Sequence, residues 1–298
     1  MVDDWDQARF IELLARLAPL LPEARPVDWT APAYRWRKRQ YLGATLGRLE
    51  PIHRIARIAP DDLRHVDAQK AAILRNTEQF VRGAPANNVL LTGARGTGKS
   101  SLIRACLVAF MDHGLRLIEV DKRDLVDLPD LVELIATRKE RFIVFCDDLS
   151  FEEGEASYKA LKAALDGSIA APGDNLLIYA TSNRRHLMPE YMRENLAAHY
   201  EDDGEIHPAE TVEEKVSLSE RFGLWLSFYP FRQDDYLDIV RHWLLRFDID
   251  ASAALHAHWR EEALQFALQR GSRSGRVAQQ FARDFAGRAT LTQPPARR

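Results

Sequence analysis

The sequence predicts an α/β fold: a five-stranded parallel sheet flanked by helices, followed by a small all-helical unit. Three observations carry that reading. From Asn88 onward, short apolar runs alternate with stretches of helical periodicity. The first of those runs opens directly into a glycine-rich loop at 93–100. After Pro230 the periodicity is helical throughout. Strands are expected at 89–92, 115–120, 142–147, 176–182 and 224–228, where β-branched, leucine and aromatic residues cluster between turn signals. Helices are expected between them near 99–112, 129–138, 154–166 and 188–197. Past Pro230 they fall near 233–247, 258–270 and 275–287, before a tail with Pro294 and Pro295 that is expected to fray.

Upstream of the sheet the pattern differs. Trp5 to Leu21 has helical spacing, with Phe10, Leu13, Leu14 and Leu17 on one side. Prolines at 19, 22, 26 and 32 then break the chain into an extended arm. A further helical region spans 61–82, between Pro60 and Gly83-Ala84-Pro85. The expected organisation is therefore 1–50 as helix and arm, 51–228 as the α/β core, and 229–298 as the helical unit.

Composition narrows the functional classes. With 298 residues, 46% of them hydrophobic, the chain can bury a sizeable core. No apolar run approaches the roughly 18 residues of a membrane span. The acidic start Met1-Val2-Asp3-Asp4 lacks a basic signal-peptide region, so a cytoplasmic protein is expected. Cys106 and Cys146 read as buried small hydrophobes, without zinc spacing and without an expected disulfide. His256-Ala257-His258 has no third ligand nearby and reads as surface or packing. A net charge of −3 argues against a broadly basic nucleic-acid coat and leaves room only for a local patch.

The chemistry begins at Gly93-Ala94-Arg95-Gly96-Thr97-Gly98-Lys99-Ser100, followed by Ser101. This is G-x-x-x-x-G-K-[ST], the phosphate loop, in its required setting of strand before and helix after. Glycines let successive backbone N–H groups turn inward on a polyphosphate, and the helix start adds its positive end. Lys99 would face the β- and γ-phosphates, and Ser100 would give its hydroxyl to Mg²⁺. ATP and Mg²⁺ are the ligands this loop implies.

Four further stretches carry polar groups at element ends. Phe142-Ile143-Val144-Phe145-Cys146 runs into Asp147-Asp148: Asp147 would hold Mg²⁺, and Asp148 would orient or deprotonate a water. Leu176 to Ser182 ends at Asn183-Arg184-Arg185, whose amide either sits beside a γ-phosphate or caps the chain. Leu218-Ser219-Glu220-Arg221 places an arginine just before a strand. In Gly271-Ser272-Arg273-Ser274-Gly275-Arg276, Ser274 reads as an N-cap. Arg276 then falls in a helical first turn, a poor place for a cation without an anionic partner.

Together these motifs resemble an AAA+ ATPase. More narrowly, the chain is similar to a bacterial AAA+ family catalogued as domain of unknown function 815. The shared stretches match 87–91, 96–101, Cys146 to Glu152 and 231–240, and the likeness covers roughly 50–298. It implies a five-stranded core with a helical lid and nucleotide held between them. It also implies roles: Asn183 as sensor 1, Arg221 as an arginine finger acting on a neighbouring subunit, and Arg276 as sensor 2, with Arg273 as the alternative. Leu63 and Val66 match the position that lines the adenine pocket. A homo-oligomer, in ring or hexamer form, follows from the same likeness.

Two departures bear on activity. Most AAA+ proteins have Asp-Glu where this chain has Asp147-Asp148, and the shorter carboxylate makes slow turnover an expectation unless the backbone compensates or Glu152 or Glu153 substitutes. The pore-loop position reads Val120-Asp121-Lys122-Arg123-Asp124, with neither aromatic nor glycine, which argues against a threading unfoldase. Tyr34-Arg35-Trp36-Arg37-Lys38-Arg39-Gln40-Tyr41 suits phosphate contacts plus base stacking; it suits equally an arm with aromatics packed on the core and cations solvated. The acidic stretch 201–214 reads as a subunit-interface element or a solvated loop. Three functions stay open: an ATP-driven oligomer that loads or remodels a protein partner, on DNA in the manner of a helicase loader; a nucleotide-dependent scaffold or signalling switch with little hydrolysis; and a P-loop kinase, which Arg221 and the C-terminal motif oppose.

Overall fold

The chain alternates strand and helix because its apolar runs are too short for anything but strands and are separated by amphipathic stretches. The computed structural model describes residues 12, 26–41, 44–56, 58–151, 155–166, 174–184, 218–250 and 258–292. The expected helices at 5–21 and 188–197, Glu152, Glu153, Arg185, the acidic stretch 201–214, His256-Ala257 and the tail from 293 lie outside the described residues. The strands are β1 (Ala33–Tyr41), β2 (Ala44–Ile52), β3 (Val89–Gly93), β4 (Leu115–Glu119), β5 (Arg141–Cys146), β6 (Leu176–Ser182) and β7 (Leu224–Phe228). The helices are α1 (Asp67–Val81), α2 (Lys99–Phe110), α3 (Leu128–Ile135), α4 (Ala156–Asp166), α5 (Gln233–Arg246), α6 (Trp259–Gln269) and α7 (Gly275–Thr292).

All seven strands join one sheet in the order β2-β1-β4-β5-β6-β3-β7. The five expected strands are present and parallel to one another. The pleat sends alternate residues to opposite faces. Val89, Leu91, Ile143, Phe145 and Tyr179 point to the side of α1 and α2. Leu90, Ile118, Phe142, Val144 and Ile178 point to the side of α3 and α4.

The sheet is larger than the expected five strands. The stretch read as an extended arm is β1, parallel to β4 over Ala33–Arg35 and antiparallel to β2 along its whole length. Alternation explains the difference: Tyr34 and Trp36 are buried in the core on one face, while Arg35, Arg37 and Arg39 fall on the other. Tyr34 and Trp36 therefore pack in the core and offer no stacking face to a base. Trp36 Nε1 donates to Asp127 at 2.9 Å, and Lys38 lies 2.9 Å from Asp127 and 3.5 Å from Asp124. The hairpin thus clasps the short helical turn Lys122–Asp127, the pore-loop position, which Lys122 also anchors by donating to the Ser150 carbonyl. A Cβ on Gly47 would sit 2.1 Å from the Trp36 ring, so β2 needs glycine opposite that indole.

Helices α5, α6 and α7 pack around Tyr236, Ile239, Val240, Phe281 and Phe285, and Tyr236 donates its hydroxyl to the Ala263 carbonyl. Charge pairs fasten α5 to the segment before α1. Buried Asp62 meets His242 at 3.2 Å and Arg246 at 3.4 Å. His65 lies between Asp235 at 3.2 Å and Asp238 at 2.9 Å. Among the described residues no helix is long and apolar enough to cross a membrane.

Candidate nucleotide site

In an open parallel sheet, ligands bind outside the carboxyl ends of the strands where the chain reverses direction across the sheet. Here β5, β6 and β3 are neighbours, so their carboxyl ends bring Asp147-Asp148, Asn183 and the glycine-rich loop to one edge. A cavity of about 560 Å³ opens there, between the sheet edge and α5 and α7.

The loop is shaped around the start of α2. Gly96 has φ +74°, and a Cβ there would lie 2.7 Å from the Ser274 hydroxyl, so only glycine lets the segment before α7 come this close. The Arg276 N–H donates to the Gly96 carbonyl at 3.3 Å, which joins α7 directly to the loop. Ser274 caps α7, its Oγ accepting from the Val277 N–H at 3.3 Å.

Lys99 is 5% exposed. Its ammonium donates to the carbonyls of Gly93 at 2.7 Å and Ala94 at 2.8 Å, and to Asn183 Oδ1 at 3.0 Å. Burial lowers its pKa, the Arg95 and Arg276 charges push the same way, and Asp147 and Asp148 oppose them. A buried cation held by neutral oxygens is suited to exchange those partners for an anion.

The two aspartates are differently placed. Asp147 Oδ1 accepts from Ser100 Oγ and Thr181 Oγ1, each at 2.6 Å. Asp148 has a left-handed backbone, φ +54°, and its Oδ1 accepts from the Asn183 amide at 2.6 Å. Asn183 therefore links Lys99 to Asp148. The hydroxyl of Ser100 beside the Asp147 carboxylate is the donor set that suits Mg²⁺, a hard cation taking oxygen ligands. Among the described residues no three His, Cys, Asp or Glu side chains gather to hold an ion alone, so phosphate oxygens would complete such a shell.

Leu63, Val66 and Arg276 line the cavity, as do loop residues Arg95 to Ser101. Lys70 donates to the Leu63 carbonyl at 3.1 Å and fixes that segment. Arg273 is exposed and does not line the cavity. Nor does Arg221, which pairs with Asp166 at the end of α4. Sequence reasoning missed Ile58, Trp243 and Thr181, all of which line the cavity. Trp243 follows Ile239 by four positions on α5, which puts that pair on one face. Thr181 stands next to the last residue of β6, just before the chain leaves the strand at Asn183.

Residues 29–289 match a family described as protein of unknown function (DUF815). The chain belongs to that family. Its fold is that of an AAA+ protein. Among solved structures, the DUF815 chain is similar to the Aeropyrum pernix Orc1 protein in complex with DNA, at 15% identity and a TM-score of 0.52, over 80% of this chain and 66% of that one. It is also similar to the Thermotoga maritima RuvB Holliday junction branch migration motor, at 16% identity and a TM-score of 0.45, over 76% of this chain and 62% of that one. The match thus spans just under two thirds of each of those chains. No curated protein matches the sequence.

Proposed function

We propose that this DUF815 chain is an ATP-hydrolysing AAA+ protein that assembles with copies of itself and uses the Mg-ATP cycle to load or remodel a macromolecular partner. The observation that carries the reading is the connected network at the sheet edge: Asn183 joins Lys99 to Asp148, while Ser100 and Thr181 both hold Asp147. Cation, metal-side carboxylate and water-side carboxylate are thereby set in one geometry. Lys99 would leave the loop carbonyls for the β- and γ-phosphates as the backbone N–H groups of 94–100 turn toward them. Ser100 and Asp147 would hold Mg²⁺, which neutralises charge building on the phosphate oxygens. Asp148 takes the proton of the attacking water, and Asn183 keeps that carboxylate aligned. Arg276 reaches the phosphates from α7, and Leu63 and Val66 cover the base. Arg221 serves the γ-phosphate of a neighbouring copy, a role supported by its place outside the lining of its own chain's cavity.

The expected outcome is Mg²⁺-dependent ATP hydrolysis that falls by about 100-fold or more in Asp148→Asn, the range for losing a general base, with ATP still bound. A nucleotide-dependent scaffold is the second reading, favoured by the short carboxylate of Asp148. It predicts ATP-dependent assembly with no phosphate release. Nucleic acid as the partner is supported by the exposed face of β1 and β2, where Arg35, Arg37, Arg39 and Arg48 stand against Glu50 and Glu119. Binding of oligonucleotides that weakens with salt and with replacement of Arg37, Arg39 and Arg48 supports it; no binding at low salt removes it.

A further inference from the structure

Three hydrogen bonds tie Thr181 to the turn after β5. Its hydroxyl donates to Asp147 Oδ1 at 2.6 Å and accepts from the Asp148 N–H at 3.0 Å, and its carbonyl accepts from the Leu149 N–H at 2.6 Å. The side chain is 2% exposed, so neither hydroxyl bond is shared with bulk water. A hydroxyl has one proton to give, and Asp147 takes it while the lone pairs hold the next amide.

The consequence lies in the backbone of Asp148. Its φ of +54° is a left-handed conformation that aspartate tolerates and that longer side chains adopt with more strain. In that conformation the one-methylene-shorter carboxylate still meets the Asn183 amide at 2.6 Å. The left-handed turn thus brings this short carboxylate into contact with the Asn183 amide.

We infer that Thr181 is a positioning residue for ATP hydrolysis, its hydroxyl setting the Asp147-Asp148 turn so that aspartate, and not glutamate, is the competent residue at 148. This assignment rests on the ATP-hydrolysis reading above. Thr181 acts through the two aspartates: one hydroxyl orients Asp147 for the metal and Asp148 for the water. The Asp-Asp pair is then a matched set with Thr181 rather than a weakened Asp-Glu pair.

The test compares Thr181→Val, Thr181→Ser and Asp148→Glu with the wild-type full-length protein. ATP turnover is measured together with binding of a fluorescent ATP analogue across a Mg²⁺ titration and in EDTA. Thr181→Val, nearly isosteric on a strand, is expected to lose tenfold or more in kcat. It is also expected to raise the Mg²⁺ half-saturation several-fold while leaving binding in EDTA unchanged. Thr181→Ser, which keeps the hydroxyl, is expected to restore both. Asp148→Glu, which leaves the strand untouched, is expected to turn over ATP more slowly than wild type. Wild-type kcat and Mg²⁺ dependence in Thr181→Val, or faster turnover in Asp148→Glu, would overturn the assignment. If the wild type binds the analogue but hydrolyses nothing, the hydrolysis reading falls, and the Mg²⁺ titration alone decides whether Thr181 orients Asp147.

Discussion

Burial and neighbouring arginines work against the charge on Lys99, and the loop answers with two carbonyls and the Asn183 oxygen rather than with a carboxylate in direct contact. A phosphate would replace neutral acceptors with charged ones, and a hydrogen bond to a charged group contributes about 1.5–3 kcal/mol. Lys99→Ala is therefore expected to weaken ATP binding by at least about tenfold, measured by calorimetry; an unchanged affinity would remove the site assignment. The lowered pKa adds a sign. Binding requires the ammonium, so affinity is full below the depressed free-site value and falls as pH rises through it. The two thiols give a second prediction. Burial raises Cys106 and Cys146 to about 12, so neither is expected to react with a thiol reagent in the native protein at pH 8, and both are expected to react once it is unfolded. Their neutral form is favoured in the fold, so the stability they contribute is complete below about pH 9 and is lost as pH rises from there toward 12. The places of Asp147 and Asn183 were legible because each follows the end of an apolar run, and that of Ser100 because it closes the G-x-x-x-x-G-K-[ST] pattern. Thr181 was not, because its role depends on which strand lies beside β5, and that is settled by sheet order rather than by local pattern.

At the scale of elements, the β1–β2 hairpin is the part whose sequence misleads. Strands β3, β5 and β6 are buried on both faces and announce themselves as short hydrophobic runs. In β1 the buried residues alternate with arginines, and its two faces are distinguishable only once β4 and the turn Lys122–Asp127 are in place. Trp36 is the hinge of that packing: it is buried, donates to Asp127 and lies against Gly47. Trp36→Ala is expected to lower unfolding stability by about 3–5 kcal/mol, read by denaturant titration. Gly47→Val forces the indole aside and is expected to lower it by about 1–3 kcal/mol. Little change in either would mean that the hairpin is not part of the cooperative fold. In the turn 122–127, Asp124 and Asp127 are committed to the hairpin and Lys122 to the Ser150 carbonyl.

For the whole molecule, the cavity is built from pieces far apart in sequence: the segment before α1, the loop, two strand ends, and α5 and α7. The segment before α1 meets α5 through the ion pairs Arg64–Asp238 and Arg246–Asp62, and the α7 backbone is hydrogen-bonded to the loop itself. Nucleotide between them would couple phosphate chemistry to the angle of α5, α6 and α7. Arg221 stands outside this constellation and pairs with Asp166. In the sequence Arg221 is marked only as an arginine before a strand, and the proposal that it acts on a neighbouring copy needs a test of its own. The most direct test of a hydrolytic site shared between copies is ATP turnover in mixtures of Arg221→Ala and Asp148→Asn protein. Each variant alone is expected to be nearly inactive. Mixing is expected to recover turnover, greatest near equal proportions, because sites with an intact Asp148 then meet an intact Arg221 from the neighbour. No recovery at any ratio would contradict the account.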